Sequence, residues 1–311
     1  MFHADGNELV YFAAAVGVVY NVARHAQRFF LGNTAEIKSL AYHQPSGMAA
    51  TGQAGRDPVI CVWSVRTCKE AKRLTNVDQL SVLALAFSPC GQFLASVGGD
   101  KCHTVNVWRW RTSKLLVSAK GHTGIPPEVY GVVWNPFVPW QFVTYGARHL
   151  RTWTPEQCSL DAHHAPTRWR CRAGVFNICP VHDVLCVEFI PFGGSLMLSG
   201  NSMGQVCMWN NGTIVKVMKA HSAPLRCMRV HPEHKLLLTG GSEGQLLHWR
   251  IDGAGLGSAG FTRLQEHPLA ASHAAVARGK DPRTMKSSRP WCIDFSPDGQ
   301  SYCVGTEEGE I

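Results

Sequence analysis

The 311-residue sequence predicts an all-β fold of seven four-stranded units, with the last unit unfinished. Three observations predict it. A strand-like segment that ends in a proline-centred turn recurs six times. Each is followed by a second strand closing on small residues. A third strand, carrying a tryptophan, completes the pattern in five of the six.

The first unit is read over 8–32. "GNELVYFAAAVGVVYN" holds no charged side chain from Leu9 to Tyr20. As a helix this run would span about 18 Å, short of the ~30 Å hydrocarbon core of a bilayer. No positive charge precedes it and no cleavage-site pattern follows, so it is not a secretory signal. Its Val, Tyr and Phe content predicts two buried strands joined by a tight turn near Gly17, with "AQRFFLG" as the outer strand. No membrane is involved in this reading.

The six first strands are "LAYHQPSG" (40–47), "LAFSPCG" (85–91), "VVWNPFV" (132–138), "VEFIPFGG" (187–194), "MRVHPEH" (228–234) and "IDFSPDG" (293–299). Trp63, Trp108 and Trp153 are 45 residues apart, and Trp249 follows Trp209 by 40. This period, a "GHT" at 121–123 and the third-strand tryptophan resemble WD repeats, and so a β-propeller. Each blade is then a twisted sheet covered on both faces by its neighbours. Trp63, Trp108, Trp153, Trp209 and Trp249 are structural in this reading. Trp108 with Ser96 and Asp100 is the clearest hydrogen-bonded tie, and Trp249 with Thr239 and His221 a partial one. Two segments depart from the repeat: an insertion at 155–180, expected to extend the missing outer strand of its blade and then loop out, and an excursion at 251–290, in which "HPLAASHAAVARGK" has the composition of a short helix.

A closer resemblance rests on three stretches. "GNELVYFAAAVGVVYN" looks like the end of the hydrophobic motif that opens the propeller region of the echinoderm microtubule-associated protein-like family. "RFFLGNTAEIKSLAYHQPSGMAATGQAGRDPVICVW" and "GVF…VLCVEFIPFGGSLMLSGNSMGQVCMW" are similar to the same family, so the resemblance spans about 6–250. It implies a tandem, atypical propeller protein that binds tubulin and microtubules, located in the cytoplasm on the cytoskeleton. The first half of the motif, a coiled-coil trimerisation segment and the end of the seventh blade after "EEGEI" are not in the sequence. The propeller at 6–311 is therefore expected to be a fragment of a longer tandem-propeller protein.

Composition narrows the chemistry. Twelve cysteines form no C-x-x-C, and Cys61, Cys186, Cys207, Cys227 and Cys303 lie in apolar strands, as reduced thiols in a core do. The sequon at Asn211 is then read as unglycosylated. "GGSEG" (240–244) matches a nucleophile elbow but leads into a strand where that motif needs a helix, so it reads as a turn. "GLGSAG" (255–260) has no βαβ unit around it and reads as a linker. Cys171, Cys179, His182 and Cys186, with His163 and His164 nearby, could ligate zinc. Their spacing fits no familiar zinc pattern, and the expectation is packing and surface roles with no metal or other cofactor. With no catalytic constellation, the protein is not expected to be an enzyme.

The formal charge of +8, from 30 basic and 22 acidic residues, favours an acidic partner. Turns between second and third strands carry Arg56, Lys101, His103, Arg148 and His149, and should share one end of the propeller with His122 and His221. Arg168, Arg170 and Arg172 cluster around Trp169 as a second candidate, pairing charge with an aromatic anchor. An ordinary solvated loop face is the competing reading of the first group. The function expected is non-catalytic microtubule binding through these residues. The alternative is a scaffold or adaptor for another protein complex, of ciliary or ubiquitin-ligase type. Nucleic acid ranks below protein as partner.

Overall fold

The computed structural model describes residues 1–4, 7–75, 80–122, 128–156, 168–191, 196–231, 233–252, 260–269, 289–296 and 301–307. These form two compact units, 1–174 and 175–311. Among the described residues there are six four-stranded antiparallel sheets and one of two strands, and no helix long and apolar enough to cross a membrane.

In the first unit, sheet one contains β1 (Phe2–Ala4), β2 (Glu8–Ala13), β3 (Val16–Asn21) and β4 (Ala26–Phe30). Sheet two contains β5 (Ile37–His43), β6 (Met48–Gln53), β7 (Ile60–Ser64) and β8 (Lys69–Leu74). Sheet three contains β9 (Val82–Phe87), β10 (Leu94–Gly98), β11 (Val105–Arg109) and β12 (Lys114–Ala119). Sheet four contains β13 (Val129–Trp134), β14 (Phe142–Gly146), β15 (His149–Pro155) and β16 (Trp169–Ala173). Neighbouring sheets meet where β2 approaches β5, β5 packs on β9, and β9 on β13.

In the second unit, sheet five contains β17 (Val184–Phe189), β18 (Leu196–Asn201), β19 (Gln205–Asn210) and β20 (Thr213–Lys219). Sheet six contains β21 (Leu225–Val230), β22 (Leu236–Gly241), β23 (Gln245–Asp252) and β24 (Gly260–Pro268). Sheet seven contains β25 (Pro290–Phe295) and β26 (Tyr302–Thr306). β17 packs on β21, and β21 on β25.

Second strands are buried on both faces, as covered sheets require: β10 and β18 are buried at every position. Their small residues admit the neighbour. A Cβ on Gly52 would stand 2.5 Å from Val82, where Ser39 Oγ already donates to the Val82 carbonyl at 2.7 Å. The fold so arranged differs from the sequence expectation at three points. The first sheet begins at Phe2, ahead of the expected 8–32, because β1 pairs with β2. Its hairpin turns at Ala14, which takes φ 50, and not near Gly17. Gly17 lies inside β3 against the Trp63 indole, where a Cβ would meet Cζ2 at 2.9 Å. Finally, residues 169–173 of the expected insertion are β16, the outer strand of sheet four. The expected helix at 267–280 falls mostly outside the described residues.

The tryptophans tie four blades. Nε1 donates from Trp108 to Ser96 (3.1 Å), from Trp153 to Thr144 (3.0 Å), from Trp209 to Ser199 (2.8 Å) and from Trp249 to Thr239 (2.9 Å). Trp63 is the exception. Its Nε1 is buried without a partner among the described residues, and the ring stacks on Phe30 at 4.8 Å and 6°. In sheets two, three, five and six the register to the outer strand shifts immediately before the tryptophan, a bulge that bends this strand.

The fullest tie is in sheet six. His221 Nδ1 donates to Glu243 at 2.7 Å, which leaves Nε2 to accept from the Thr239 hydroxyl at 2.9 Å. That hydroxyl accepts in turn from Trp249, so the partial tie expected from sequence is a closed relay of four groups. Burial holds His221 below the usual imidazole range, against the opposing pull of Glu243. Asp100, expected in the Trp108 tie, instead caps its own turn, accepting from the Thr104 amide at 2.7 Å and the Cys102 amide at 3.1 Å.

Candidate protein-binding surface

An antiparallel four-stranded sheet has its first and third turns at one end and its second turn at the other. In the first unit each end gathers loops from successive blades. Backbone bonds knit the second-turn end: Ala54 donates to Glu36 within sheet two and Gly99 to Ser81 within sheet three, while Gly55 donates to Leu80 at the start of the next sheet. Arg56, Lys101 and Arg148 are exposed there, as expected. Acids are interspersed among them. Asp57 is exposed beside Arg56, and a shallow depression that holds Lys101 and His103 is also lined by Asp100 and Glu128.

His149 does not belong to that surface. It is 2% exposed, with Nε2 3.0 Å from the Thr144 hydroxyl, and it completes the Trp153 tie. Burial, with Arg151, His122 and His103 nearby, lowers its pKa to about 3, so the ring is neutral. His221 is likewise buried in its relay and offers nothing to a partner.

Trp169 is corrected as well. Alternation along β16 turns Trp169 and Cys171 toward the core and exposes Arg170 and Arg172. The indole packs edge-on against Trp134 at 6.5 Å and Trp140 at 6.4 Å, and against Phe142 at 5.2 Å. It anchors the outer strand instead of serving as a free aromatic contact. Arg168 is exposed at the third-turn end, apart from Arg170 and Arg172 on the strand. His163 and His164 lie outside the described residues.

The opposite end, of first and third turns, holds the cations that sequence reasoning missed. Arg24, Arg66, Lys69, Arg111 and Lys114 are exposed there. The third turns of sheets one to three (22–25, 65–68 and 110–113) contain no Asp or Glu. Neither do the first turns of sheets two to four (44–47, 88–93 and 135–141). Among the described residues the nearest carboxylates are engaged, Glu8 by Arg28 at 2.7 Å and Glu70 by Arg73 at 2.6 Å; Asp5, in the first turn of sheet one, lies outside them. Side-chain contacts join the turns into one surface. His43 Nε2 lies 3.1 Å from the Pro89 carbonyl, Trp110 Nε1 donates to Gly91 at 2.8 Å, and Arg111 lies 4.3 Å above the Trp110 ring. The missed signal was in the sequence: these turns are the connections before the second strand and after the third strand of each sheet, and only their shared end reveals the common charge.

The family model for the echinoderm microtubule-associated protein first β-propeller matches residues 26–311. The chain belongs to this family. The match begins after the hydrophobic motif and extends past residue 250 to include sheet seven. The chain is 28% identical over 258 residues to the 77 kDa echinoderm microtubule-associated protein of Strongylocentrotus purpuratus, covering 79% of this chain and 36% of that protein. It is 28% identical over 322 residues to echinoderm microtubule-associated protein-like 2 of Mus musculus, covering 98% of this chain and 44% of that protein. The chain thus spans less than half the length of these relatives.

Among solved structures, a chain of the mitotic checkpoint complex superposes with a TM-score of 0.72 at 16% identity, covering 99% of this chain and 83% of that one. U3-55K gives 0.71 at 16%, covering 98% and 86%. These likenesses carry the fold alone. It is an all-β, WD-type propeller of seven blades, the seventh incomplete.

Proposed function

We propose that this family member is a non-catalytic, microtubule-associated propeller that docks on the acidic tubulin lattice through the first- and third-turn end of blades one to three. Family membership carries the functional class, because the named relatives are microtubule-associated proteins. The exposed run of Arg24, Arg66, Lys69, Arg111 and Lys114, with no acid in the third turns of blades one to three or the first turns of blades two to four, supports the choice of surface. A patch without interleaved carboxylates keeps its potential outward and steers an acidic partner, whereas mixed charge cancels within a Debye length of ~8–10 Å. Arg56, Lys101 and Arg148 form a secondary contact in this reading, and Arg168 and Arg170 border the primary one.

The test is co-sedimentation of the chain with stabilised microtubules across a salt series, after a cooperative melt has established that it is folded. Saturable binding that weakens with salt supports the proposal. Absence of binding by the folded chain favours the scaffold or adaptor reading.

A further inference from the structure

Two thiols and an imidazole converge in sheet five. Cys179 and His182 lie on the segment leading into β17, and Cys207 lies in β19 two residues before Trp209. Their ligand atoms all fall within 4.8 Å of one another. His182 Nε2 is 3.8 Å from Cys207 Sγ, and Nδ1 is 3.8 Å from Cys179 Sγ. A tetrahedral zinc ion, with Zn–S of about 2.3 Å and Zn–N of about 2.0 Å, sets its sulfur and nitrogen ligands ~3.6 Å apart and two sulfurs ~3.8 Å apart. Cys207 Sγ already stands close to that distance from Nε2, whereas Cys179 Sγ faces Nδ1 and has to swing toward Nε2 when an ion binds.

The surroundings orient these groups. His182 Nδ1 donates to the Pro180 carbonyl at 2.8 Å, which fixes the tautomer and leaves the Nε2 lone pair facing Cys207. A second ring nitrogen bound to a backbone carbonyl is the usual outer shell of a metal-bound histidine. Phe176 holds the imidazole edge-on at 5.1 Å and itself packs on Trp209 at 5.0 Å. The Asn201 amide lies 3.8 Å from Cys207 Sγ, placed to stabilise a thiolate. His182 and Cys207 are buried, while Cys179 is half-buried and leaves a way in for an ion.

Blade ties do not account for the arrangement. In sheet six the lead-in histidine, His221, bonds Thr239 with Nε2 and Glu243 with Nδ1. In sheet five Trp209 reaches Ser199 directly at 2.8 Å, and His182 turns Nε2 toward sulfur. Of the ligand set weighed from sequence, Cys171 packs in the core of sheet four and Cys186 faces the Leu225 carbonyl. Cys207, passed over as a packing residue, takes their place.

We propose that Cys179, His182 and Cys207 form a structural zinc site, with water as the fourth ligand on the Cys179 side. Loading exchanges two thiol protons, released to solvent, for one Zn2+. The product is electrically neutral, as a buried site favours, and nothing is oxidised or reduced. The ion pins the segment before β17 to the third strand of its blade, adding to the pairing of Val175 with Thr213.

The experiment takes the full chain, kept reduced with a phosphine and stripped with a chelator. Zn2+ is titrated against a chromophoric indicator, and Co2+ is titrated in parallel for its spectrum. The expected result is one equivalent of zinc, a raised melting midpoint on loading, and thiolate-to-cobalt charge-transfer bands with tetrahedral d–d bands. Cys179→Ser, at a half-exposed position, should keep the fold, lose those bands and weaken zinc binding about 100-fold. Cys68→Ser, a thiol in sheet two, should leave binding unchanged. The proposal is overturned by a folded chain that takes up no stoichiometric zinc, by unaltered binding in Cys179→Ser, or by a Cys179–Cys207 disulfide in place of bound metal.

Discussion

The His149 imidazole meets the Thr144 hydroxyl at 3.0 Å inside sheet four, and this contact makes a charged-looking turn residue part of the blade core. It closes the tie that Trp153 begins. A histidine directly after the exposed Arg148 would read as surface; here it opens the inner strand β15, opposite Gly146, with the His122 ring 5.9 Å away.

That burial sets a pH dependence. The folded pKa of about 3 lies below the unfolded value of ~6.5, so the unfolded chain binds a proton first. Stability is full above about pH 6.5 and falls as pH drops toward 3, by up to ~1.4 kcal/mol per unit from this residue. By pH 5 the loss is about 2 kcal/mol. His221, also held low by burial, acts in the same direction. Melts from pH 7.5 to 5 should show His149→Gln with a shallower decline than the parent; parallel curves would refute the assignment.

The relay in sheet six predicts a graded response. Thr239→Val strands both the Trp249 N–H and the His221 Nε2, at a cost of about 2–3 kcal/mol. Thr239→Ser keeps the hydroxyl and loses only a methyl, costing about 1 kcal/mol. Denaturant midpoints of the two variants decide this, and equal losses would count against the relay.

Trp63 and Trp209 should differ although both are fully buried. Phenylalanine at either position leaves a similar void, but only Trp209→Phe breaks a bond, to Ser199. The expected difference is about 1 kcal/mol in favour of Trp63→Phe, read from the same unfolding titration.

Arg229 of β21 links two neighbouring first strands, with Nη1 2.8 Å from Glu188 and Nε 2.9 Å from Asp294. Burial raises the Glu188 pKa, opposed by Arg229, so the carboxylate depends on its partner. The Arg229 side chain is 37% exposed, which limits the loss in Arg229→Met to about 1–3 kcal/mol. Adding Glu188→Gln should restore part of it, since the two changes share one network. A strictly additive double variant would contradict this coupling.

Much of the fold was legible in the sequence, because strand alternation, proline turns and tryptophan spacing recur in register. Gly17 misled because a glycine demanded by the Trp63 ring looks the same in sequence as one demanded by a turn. The outer strand of sheet four was expected at the start of the 155–180 segment and lies near its end, where the alternation of Trp169, Arg170, Cys171 and Arg172 marks a strand with one face inward. The candidate surface was less legible. Charge can be counted along a chain, but which turns share an end, and which acids are already paired, depends on the stacking of sheets. Cys207 was hidden for the same reason, since its companions are more than twenty residues away and meet it only across the blade.

The most direct test of the docking proposal compares charge reversals at the two ends of the first unit in microtubule co-sedimentation. One variant carries Arg66→Glu, Arg111→Glu and Lys114→Glu; the other carries Arg56→Glu, Lys101→Glu and Arg148→Glu. Both sets are exposed residues in or directly beside turns, and melts would verify that each variant is folded. The expected result is a loss of affinity of about 10-fold or more and a flattened salt dependence in the first, with a smaller change in the second. Equal binding by the first variant and the parent would contradict the account.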